Sequence, residues 1–240
     1  MKRISVCIAT YNGENYLYQQ LASILDQLHQ EDEVIISDDG STDHTLDIIR
    51  SFKDKRITLL QNPNERSPIL NFQNALLRAK GEFIFLSDQD DIWLPYKVRD
   101  VLEVLKKYDL VVHDCTLKCG SQIISSHFKI RKSGKGLFKN LFKNTFQGNC
   151  MAFRRRILQN ALPFPAGIPM HDAWIGLVAS LYGKVYFMKR ELSMWRRHDD
   201  SFGNKFLSRT SIESKFKFRY ILLKNLVRLA LKGLTPKKIL

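Results

Sequence analysis

Short apolar runs alternate with amphipathic segments through the first 110 residues, and this alternation restricts the folds that the chain can adopt. Four runs have strand length and are rich in Val, Ile, Leu and Phe, at residues 4–9, 34–36, 57–60 and 83–86. Segments with apolar residues at helical spacing separate them, at residues 16–28, 46–49 and 69–79. Repeated strand–helix alternation predicts an α/β protein with a mostly parallel central sheet and helices on both faces.

The fourth run leads directly into a cluster of carboxylates. Asp88, Asp90 and Asp91 follow Leu86, and a predicted helix starts after Pro95. In open α/β sheets, ligands bind at the carboxyl ends of the strands. A hard divalent cation with oxygen ligands, itself holding a diphosphate, would offset the repulsion between these charges. The alternative is a solvated acidic turn, in which Asp91 merely caps the next helix.

A second acidic stretch, at residues 37–43, follows the second run. Asp38 and Asp43 favour turn and cap roles there, because short carboxylates bond to nearby backbone N–H groups. The pattern is that of a nucleotide-binding architecture, but it is not the dinucleotide or the P-loop type. Neither G-x-G-x-x-G after the first strand nor G-x-x-x-x-G-K-[ST] is present.

The pattern changes after Tyr108. Further strands are predicted at residues 110–112, 121–126, 148–153, 185–187 and 192–195, and a helix at 173–181. Residues 129–143 hold six Lys or Arg and no acid, which indicates a mobile loop or a short basic helix. We predict one compact domain over residues 1–203, with a nucleotide-binding half (1–110) and an acceptor-side half (111–203). A basic amphipathic tail over residues 204–240 would follow it.

The formal net charge of +14 is unevenly distributed. Residues 204–240 carry ten Lys or Arg and one acid, so most of the excess lies in the tail. A polyanionic partner is implied, such as a membrane surface, a nucleic acid or a phosphorylated acceptor. Nucleic acid is disfavoured, because the basic residues do not surround aromatic residues on a sheet face. The four cysteines form no disulfide or zinc pattern, and no signal peptide is apparent, so a cytoplasmic location is expected.

Three ordered motifs across residues 4–95 resemble family-2 glycosyltransferases with the GT-A fold. They are S-V-C-I-A-T-Y-N-G-E at 5–14, I-S-D-D-G-S-T-D at 36–43 and D-Q-D-D at 88–91. Residues 148–155 and 170–174 are similar to the family's acceptor-side strand and catalytic-aspartate helix. Residues 195–198, W-R-R-H, are similar to the Y-R-x-H element of rhamnosyltransferase-like members, with Trp in place of Tyr.

The resemblance implies a role for each matching residue. The nucleotide pocket would be lined by Thr10, Tyr11, Glu14 and Asp39, with Asp88 contacting the ribose or supporting the metal. Asp90, together with His198, would bind Mg²⁺ or Mn²⁺, and Asp172 would be the general base. The implied donor is a UDP- or dTDP-sugar, with dTDP-rhamnose as one candidate. The implied acceptor is a hydroxyl of a glycan or of a lipid-linked molecule in cell-surface polysaccharide synthesis.

These roles describe one displacement. The acceptor hydroxyl loses its proton to Asp172 as it attacks an oxocarbenium-like carbon, while the charge of the leaving diphosphate is neutralised at Asp90. A single displacement with one base inverts the anomeric centre. Two alternatives remain at this point: a non-catalytic nucleotide-sugar-binding protein on the same fold, and a nucleic-acid-binding protein.

Residues 212–232 can form one amphipathic helix. Lys217, Lys224, Arg228 and Lys232 fall on a narrow stripe of that helix, beside a broad apolar arc. The arc either packs on the domain as core or lies in a membrane interface, with the basic residues on anionic head groups. In the second case, residues 212–238 would give peripheral contact with the cytoplasmic face of the membrane without a spanning segment.

Overall fold

The computed structural model describes residues 3–119, 122–197 and 211–234, and within them one mixed sheet organises the fold. Its strands are β1 (Ile4–Thr10), β2 (Glu33–Asp38), β3 (Ile57–Gln61), β4 (Phe83–Asp88), β5 (Ile92–Trp93), β6 (Leu110–Cys119), β7 (Gln122–Ser126), β8 (Met151–Arg154) and β9 (Val185–Arg197). The spatial order is β3-β2-β1-β4-β8-β6-β9-β5, with β7 paired to β6. β1 to β4 are mutually parallel, β8 is antiparallel to both of its neighbours, and β6 and β9 run parallel to each other.

The helices in the described part of the chain cover both faces of the sheet. They are α1 (Leu17–Leu25), α2 (Thr45–Ser51), α3 (Pro68–Arg78), α4 (Lys97–Leu105), α5 (His127–Arg131), α6 (Leu137–Phe142), α7 (Leu158–Ala161), α8 (His171–Tyr182) and α9 (Ile212–Leu234). Two buried apolar clusters result, one on each side of the sheet. The first is built with α3, α6, α8 and α9, and the second with α1, α2 and α4. The predicted α/β class with helices on both faces is confirmed.

The sheet topology brings distant segments to one edge. β1, β2 and β4 end side by side, because all three run in the same direction. β8 runs the other way beside β4, with Phe85 opposite Ala152, so its amino end lies at the carboxyl end of β4. A 3₁₀ turn at Gly148–Cys150 precedes β8. Asn149 therefore reaches the acidic loop although 58 residues separate it from Asp91.

Several predicted elements have different bounds in the structure. The two late strands at 185–187 and 192–195 are one strand, β9, because it pairs with β6 along its whole length despite shifts of register. The strand predicted from Gly148 starts at Met151. The basic segment at 129–143 is partly helical, since α5 ends inside it at Arg131 and α6 lies within it, so the short-helix alternative holds for those residues.

The tail helix is confirmed as α9, and it is divided between two environments. Leu222 and Leu226 are buried against the core, and the Tyr182 hydroxyl of α8 donates a hydrogen bond to the Leu229 carbonyl at 2.6 Å. Phe216 and Val227 on the opposite side are exposed. Among the residues that the structure describes, no helix has the length and apolarity needed to span a membrane.

Candidate active site

The loop after β4 gathers three carboxylates. One oxygen each of Asp88, Asp90 and Asp91 can be chosen so that all three lie within 4.8 Å of one another. Asp91 is fully buried, and its Oδ1 has no hydrogen-bond partner. A buried oxygen without a donor is free to accept a ligand. Carboxylate oxygens at this separation suit Mg²⁺ or Mn²⁺, so the residues present fit the predicted metal.

The charges of this loop are strongly coupled. Burial raises the pKa of Asp88 to about 8, and the neighbouring Asp90 and Asp172 carboxylates act in the same direction. Burial, followed by Asp90 and Asp88, also raises the pKa of Asp91 well above its ordinary value. Carboxylates that resist ionisation in this way are relieved of their mutual repulsion when a cation binds between them. Asp91, which the sequence left between cap and cluster, belongs to the cluster.

A buried lysine lies behind the cluster. Lys97 is 1% exposed, and its Nζ donates to the Asn149 carbonyl at 3.0 Å. The same ammonium lies 4.1 Å from the centre of the Trp93 ring, in cation–π contact. The Asn149 side-chain amide in turn donates to Asp91. Burial lowers the pKa of Lys97 to about 8, and Asp91 and Asp88 oppose that decrease.

Two contacts fix the acidic loop to the rest of the edge. Gln89 forms an amide pair with the Tyr11 backbone, accepting from its N–H at 2.8 Å and donating to its carbonyl at 3.0 Å. Arg196 of β9 donates to the Asp90 carbonyl at 2.6 Å and to the Gln19 side chain at 2.7 Å. The W-R-R-H element therefore arrives at the acidic loop. His198, its last residue and a predicted metal ligand, lies outside the described residues.

The loop after β2 lies next to Tyr11. Asp39 accepts hydrogen bonds from the Asn62 side chain at 2.5 Å and from the Ser67 N–H at 3.0 Å. Burial is the main cause of its raised pKa. The Arg66 guanidinium stacks 4.0 Å from the centre of the Tyr11 ring. An aromatic ring, a cation and a carboxylate thus border the end of this strand.

The other two residues predicted to line a nucleotide pocket are engaged by the fold. Thr10 is 1% exposed, and its hydroxyl donates to Asp38 Oδ1 at 3.0 Å. Glu14 is partly exposed, and its carboxylate accepts from the His44 N–H at 3.0 Å, at the start of α2. The Thr10 side chain therefore positions the β2 loop, whereas Glu14 stays near the surface.

Asp172 lies in the first turn of α8, at the same edge of the sheet. Burial raises the pKa of its carboxyl to about 6, while hydrogen bonds from the Ala173 and Gly148 N–H groups and from the Asn144 side chain hold it down. Its charge contributes to the raised pKa of Asp88, so the two groups share one site. A carboxylate with this pKa is mostly ionised at neutral pH and retains useful basicity.

His171 supports the same turn. Its ring stacks on Phe72 with the ring centres 4.0 Å apart, and burial lowers its pKa to about 3. Both ring nitrogens are buried without a hydrogen-bond partner. The ring is therefore neutral and acts as packing beside Asp172.

The structure adds four residues that the sequence did not single out for the site: Gln89, Lys97, Asn149 and Arg196. All four hold or face the acidic loop. Gln89, Asn149 and Arg196 lie inside motifs that resemble the family, which was the available signal for them. Lys97 carried none, because a lysine in the first turn of an amphipathic helix is normally on the surface.

The site can be set beside known proteins. A sequence model described as Glycosyl transferase family 2 matches residues 5–162, well over half of the chain. An uncharacterized glycosyltransferase of Nostoc sp. is 28% identical over 220 residues, which cover 82% of this chain and 65% of that protein. The UDP-Glc:alpha-D-GlcNAc-diphosphoundecaprenol beta-1,3-glucosyltransferase WfaP of Escherichia coli is 36% identical over 107 residues, 44% of this chain and 42% of that one. The chain thus spans two thirds or less of the length of these relatives.

Solved structures show the same fold. TarS 1-349 of S. aureus, in complex with UDP-GlcNAc, superposes with a TM-score of 0.74 at 21% identity, covering 94% of this chain and 66% of that one. Glucosyl-3-phosphoglycerate synthase of Mycobacterium tuberculosis, in complex with Mn²⁺, UDP and glucosyl-3-phosphoglycerate, superposes with a TM-score of 0.64 at 17% identity, covering 93% and 80%. The GT-A type fold predicted from the motifs is confirmed by these likenesses.

Proposed function

The chain belongs to glycosyl transferase family 2, and on that premise we propose that it is a metal-dependent, inverting glycosyltransferase that uses a UDP- or dTDP-sugar. One observation carries the proposal: two acidic groups lie at the same edge of the sheet. One is the cluster of Asp88, Asp90 and Asp91, in which a buried oxygen has no donor, and the other is Asp172, a separate carboxylate whose pKa is raised. The first can hold a cation and a diphosphate. The second can accept a proton from an acceptor hydroxyl.

We assign the cation to Asp88, Asp90 and Asp91, with His198 as a further ligand. A bound Mg²⁺ or Mn²⁺ would neutralise the charge that develops on the leaving diphosphate. Within the chain, Asn149 orients Asp91 by donating to it, and Arg196 fixes the backbone at Asp90. Support comes from structural neighbours crystallised with Mn²⁺, one with GDP-mannose and another with UDP.

We assign the nucleotide to the ends of β1 and β2. Tyr11 and Asp39 would border the base, with Asp39 accepting from the N–H of a pyrimidine, and Asp88 would lie near the ribose. Thr10 and Glu14 would position the residues that line this pocket and would not contact the nucleotide through their bonded atoms, because both already form hydrogen bonds with neighbouring residues. Uracil and thymine both offer the required N–H. The TarS neighbour was crystallised with UDP-GlcNAc, which supports a uridine donor.

Asp172 is proposed as the general base. Its pKa near 6 makes it a carboxylate at neutral pH, and the donors around it orient it at the start of α8. The acceptor proton would pass to this carboxylate as the new glycosidic bond forms, and the bond to the diphosphate would break on the opposite face of the sugar. One displacement of this kind inverts the anomeric centre.

The acceptor is proposed to be a hydroxyl of a glycan or of a lipid-linked molecule in cell-surface polysaccharide synthesis. Two relatives from E. coli are named as glucosyltransferases for GlcNAc-diphosphoundecaprenol, and one from Bacillus subtilis as a putative teichuronic acid biosynthesis glycosyltransferase. A dTDP-rhamnose donor is a further candidate on the W-R-R-H element alone. The enzyme would work at the cytoplasmic face of the membrane, with residues 212–238 in peripheral contact.

The test is a thermal-shift and calorimetric screen of the intact chain with UDP, dTDP and their sugar conjugates, with Mn²⁺ or with EDTA. A true donor should raise the melting temperature by mass action, and only when the metal is present. Proton NMR of the product formed from that donor should show the inverted anomer. Equal binding of the nucleotide with Mn²⁺ and with EDTA would remove the metal from the proposal, and binding without turnover would favour a non-catalytic module.

A further inference from the structure

Two aromatic side chains stand out from the short helix α6. Phe138 is 71% exposed and Phe142 is 63% exposed, whereas Leu141 between them is buried in the core. Phe138 and Phe142 are four residues apart, so they lie on the same side of the helix. Exposed aromatic residues cost free energy in water, and a pair on one helix face indicates a surface that meets an apolar phase.

The outer side of α9 carries a longer stripe of the same kind. Its exposed apolar residues recur at spacings of three or four, as Ile212, Phe216, Tyr220, Leu223, Val227 and Leu231. The inner side is already used, because Leu222 and Leu226 pack on the core. The helix is therefore fixed to the domain by one side and presents the other.

The two helices form a single surface, which we call the aromatic face: Phe138, Phe142 and the outer stripe of α9. Arg219 joins its two parts. The Arg219 guanidinium lies 5.8 Å from the ring centre of Phe142 and 5.8 Å from that of Phe216, and it donates to the Phe142 carbonyl at 3.0 Å. α9 also packs against α6 and α8.

The two segments of the chain that contain the aromatic face are strongly basic in sequence. Residues 127–146 and 211–234 together contain twelve Lys or Arg and one acid, Glu213. Such a combination of apolar side chains and a basic rim fits an anionic bilayer, where the rings enter the interface and the cations meet the head groups. It does not fit a second copy of this chain, because a two-fold contact would place two strongly positive surfaces against each other.

We propose that the aromatic face inserts into the surface of an anionic lipid bilayer, and that α6, not only the C-terminal helix, anchors the protein there. This inference rests on the proposed function, because insertion of the aromatic face would bring the active site to a lipid-linked acceptor. α6 ends at Phe142, and Asn144, two residues later, bonds to the base Asp172. The acceptor hydroxyl would therefore emerge from the bilayer beside Asp172.

The test compares the double variant Phe138→Ser/Phe142→Ser with a matched control, Leu77→Ser. Leu77 is 61% exposed on α3 and is not part of the aromatic face. The intact protein is sedimented with vesicles of phosphatidylglycerol and phosphatidylcholine, and with vesicles of phosphatidylcholine alone, at low and at high salt. Calorimetry with UDP and Mn²⁺ is run on every variant.

The wild type and Leu77→Ser should bind the anionic vesicles at low salt and bind them less at high salt. The double variant should lose at least about tenfold in partitioning, because two phenyl rings no longer leave water. Nucleotide binding should be equal in all three proteins, because both phenylalanines are already exposed and outside the site. Failure of the wild type to bind the nucleotide would count against the proposed function. The vesicle assay would still test membrane binding by the aromatic face.

Three outcomes would overturn the inference. The first is a double variant that binds anionic vesicles as well as the wild type does, and the second is a wild type that does not bind anionic vesicles. The third is a dimer in solution that the double variant breaks, as measured by light scattering, with no vesicle binding by either form. Point variants are preferred to removal of α9, because a chain that ends at residue 204 would also uncover the core at Leu222 and Leu226.

Discussion

The two strands that flank β1, β2 and β4, both end in acidic loops, yet a carboxylate of one loop is fully hydrogen-bonded and a carboxylate of the other is not. After β2, Asp38 accepts four hydrogen bonds within its own corner. They come from the Gly40 and Ser41 N–H groups, the Ser41 hydroxyl and the Thr10 hydroxyl, at 2.5–3.0 Å. Gly40 has a φ of +80°, which lets the backbone turn back onto the carboxylate. The Asp38 carboxylate is therefore complete without a ligand.

The loop after β4 is incomplete. Asp88, Asp90 and Asp91 face one another, and Asp91 Oδ1 is buried without a donor. Their mutual repulsion and burial raise the pKa values of Asp88 and Asp91. The comparison shows how a structural carboxylate can be told from one that is available to a ligand. The number of hydrogen-bond donors around the carboxylate decides this, and the number of acidic residues in the loop does not.

The largest effect is expected at Asp172, which is coupled to the incomplete loop. Asp172→Asn keeps the shape of the side chain but cannot accept the acceptor proton, so the rate should fall about 10²- to 10⁴-fold. Binding of UDP with Mn²⁺ should remain, because Asp172 is proposed to face the acceptor. Steady-state kinetics and calorimetry measure the two quantities. Turnover within a few-fold of wild type would assign the base to another group.

Asp90→Asn tests the incomplete loop directly. Loss of one ligand should weaken Mn²⁺-dependent binding of UDP by at least about 10- to 100-fold. The free energy of unfolding without metal should change less than in Asp38→Ala, because asparagine keeps a polar side chain and one of the repelling charges is gone. Calorimetry and urea denaturation give both values. A destabilised protein with normal metal-dependent affinity would show that Asp90 has a structural role like that of Asp38.

Asp38→Ala is the opposite test, on the complete loop. Four donors lose their acceptor, so the free energy of unfolding should fall by about 1–3 kcal/mol. Affinity for Mn²⁺ alone should change little, since the acidic cluster is on another strand. Urea denaturation and metal titration provide the measurements. If the variant keeps its stability and loses the metal, the contrast between the two loops is wrong.

The smallest effect is a pH dependence of the metal-free protein. A carboxyl titrates near pH 3.9 in an unfolded chain, whereas the pKa of Asp88 in the fold is about 8. The folded state therefore holds the extra proton between these values, and the free energy of unfolding decreases as the pH rises toward 8. Burial lowers the pKa values of His127 and His171, which gives the opposite trend only below about pH 6.5.

The informative window therefore opens above pH 6.5 and closes as the pH approaches 8, where the lowered pKa of Lys97 begins to add the opposite trend. The melting temperature of the wild type should fall across it, and that of Asp88→Asn should fall less. Saturating Mn²⁺ with UDP should remove the difference in slope, because the bound cation replaces the proton. Differential scanning fluorimetry in matched buffers measures this. Parallel curves for the two metal-free proteins would mean that Asp88 titrates normally.

Much of the fold could be predicted from the sequence. The apolar run Phe83–Leu86 and the helical spacing of Leu17, Leu21 and Ile24 are local properties, and all these residues are buried in the expected elements. Strand–helix alternation then determined a parallel core sheet, because a parallel connection needs a crossover. The motif at residues 88–91 also located the acidic cluster at the end of a strand.

The sequence separated the two acidic loops only in part: it favoured turn and cap roles for Asp38 and Asp43, but both loops present carboxylates after an apolar strand. The donors that complete Asp38 lie mostly within three residues of it, but Asn149 reaches Asp91 across 58 residues and Lys97 donates to Asn149 across 52. Only the antiparallel placement of β8 beside β4 creates these contacts.

The tail shows the same limit. Periodicity determined that residues 212–232 form an amphipathic helix, but it treated the apolar residues as one arc. Tertiary packing divided them, with Leu222 and Leu226 against the core and Phe216 beside Phe142 at the surface. The spacing of residues along a helix predicts which side chains lie on the same side, because the helical backbone alone sets their directions. Which side is buried depends on neighbours that are distant in the sequence, so only the tertiary structure could decide it.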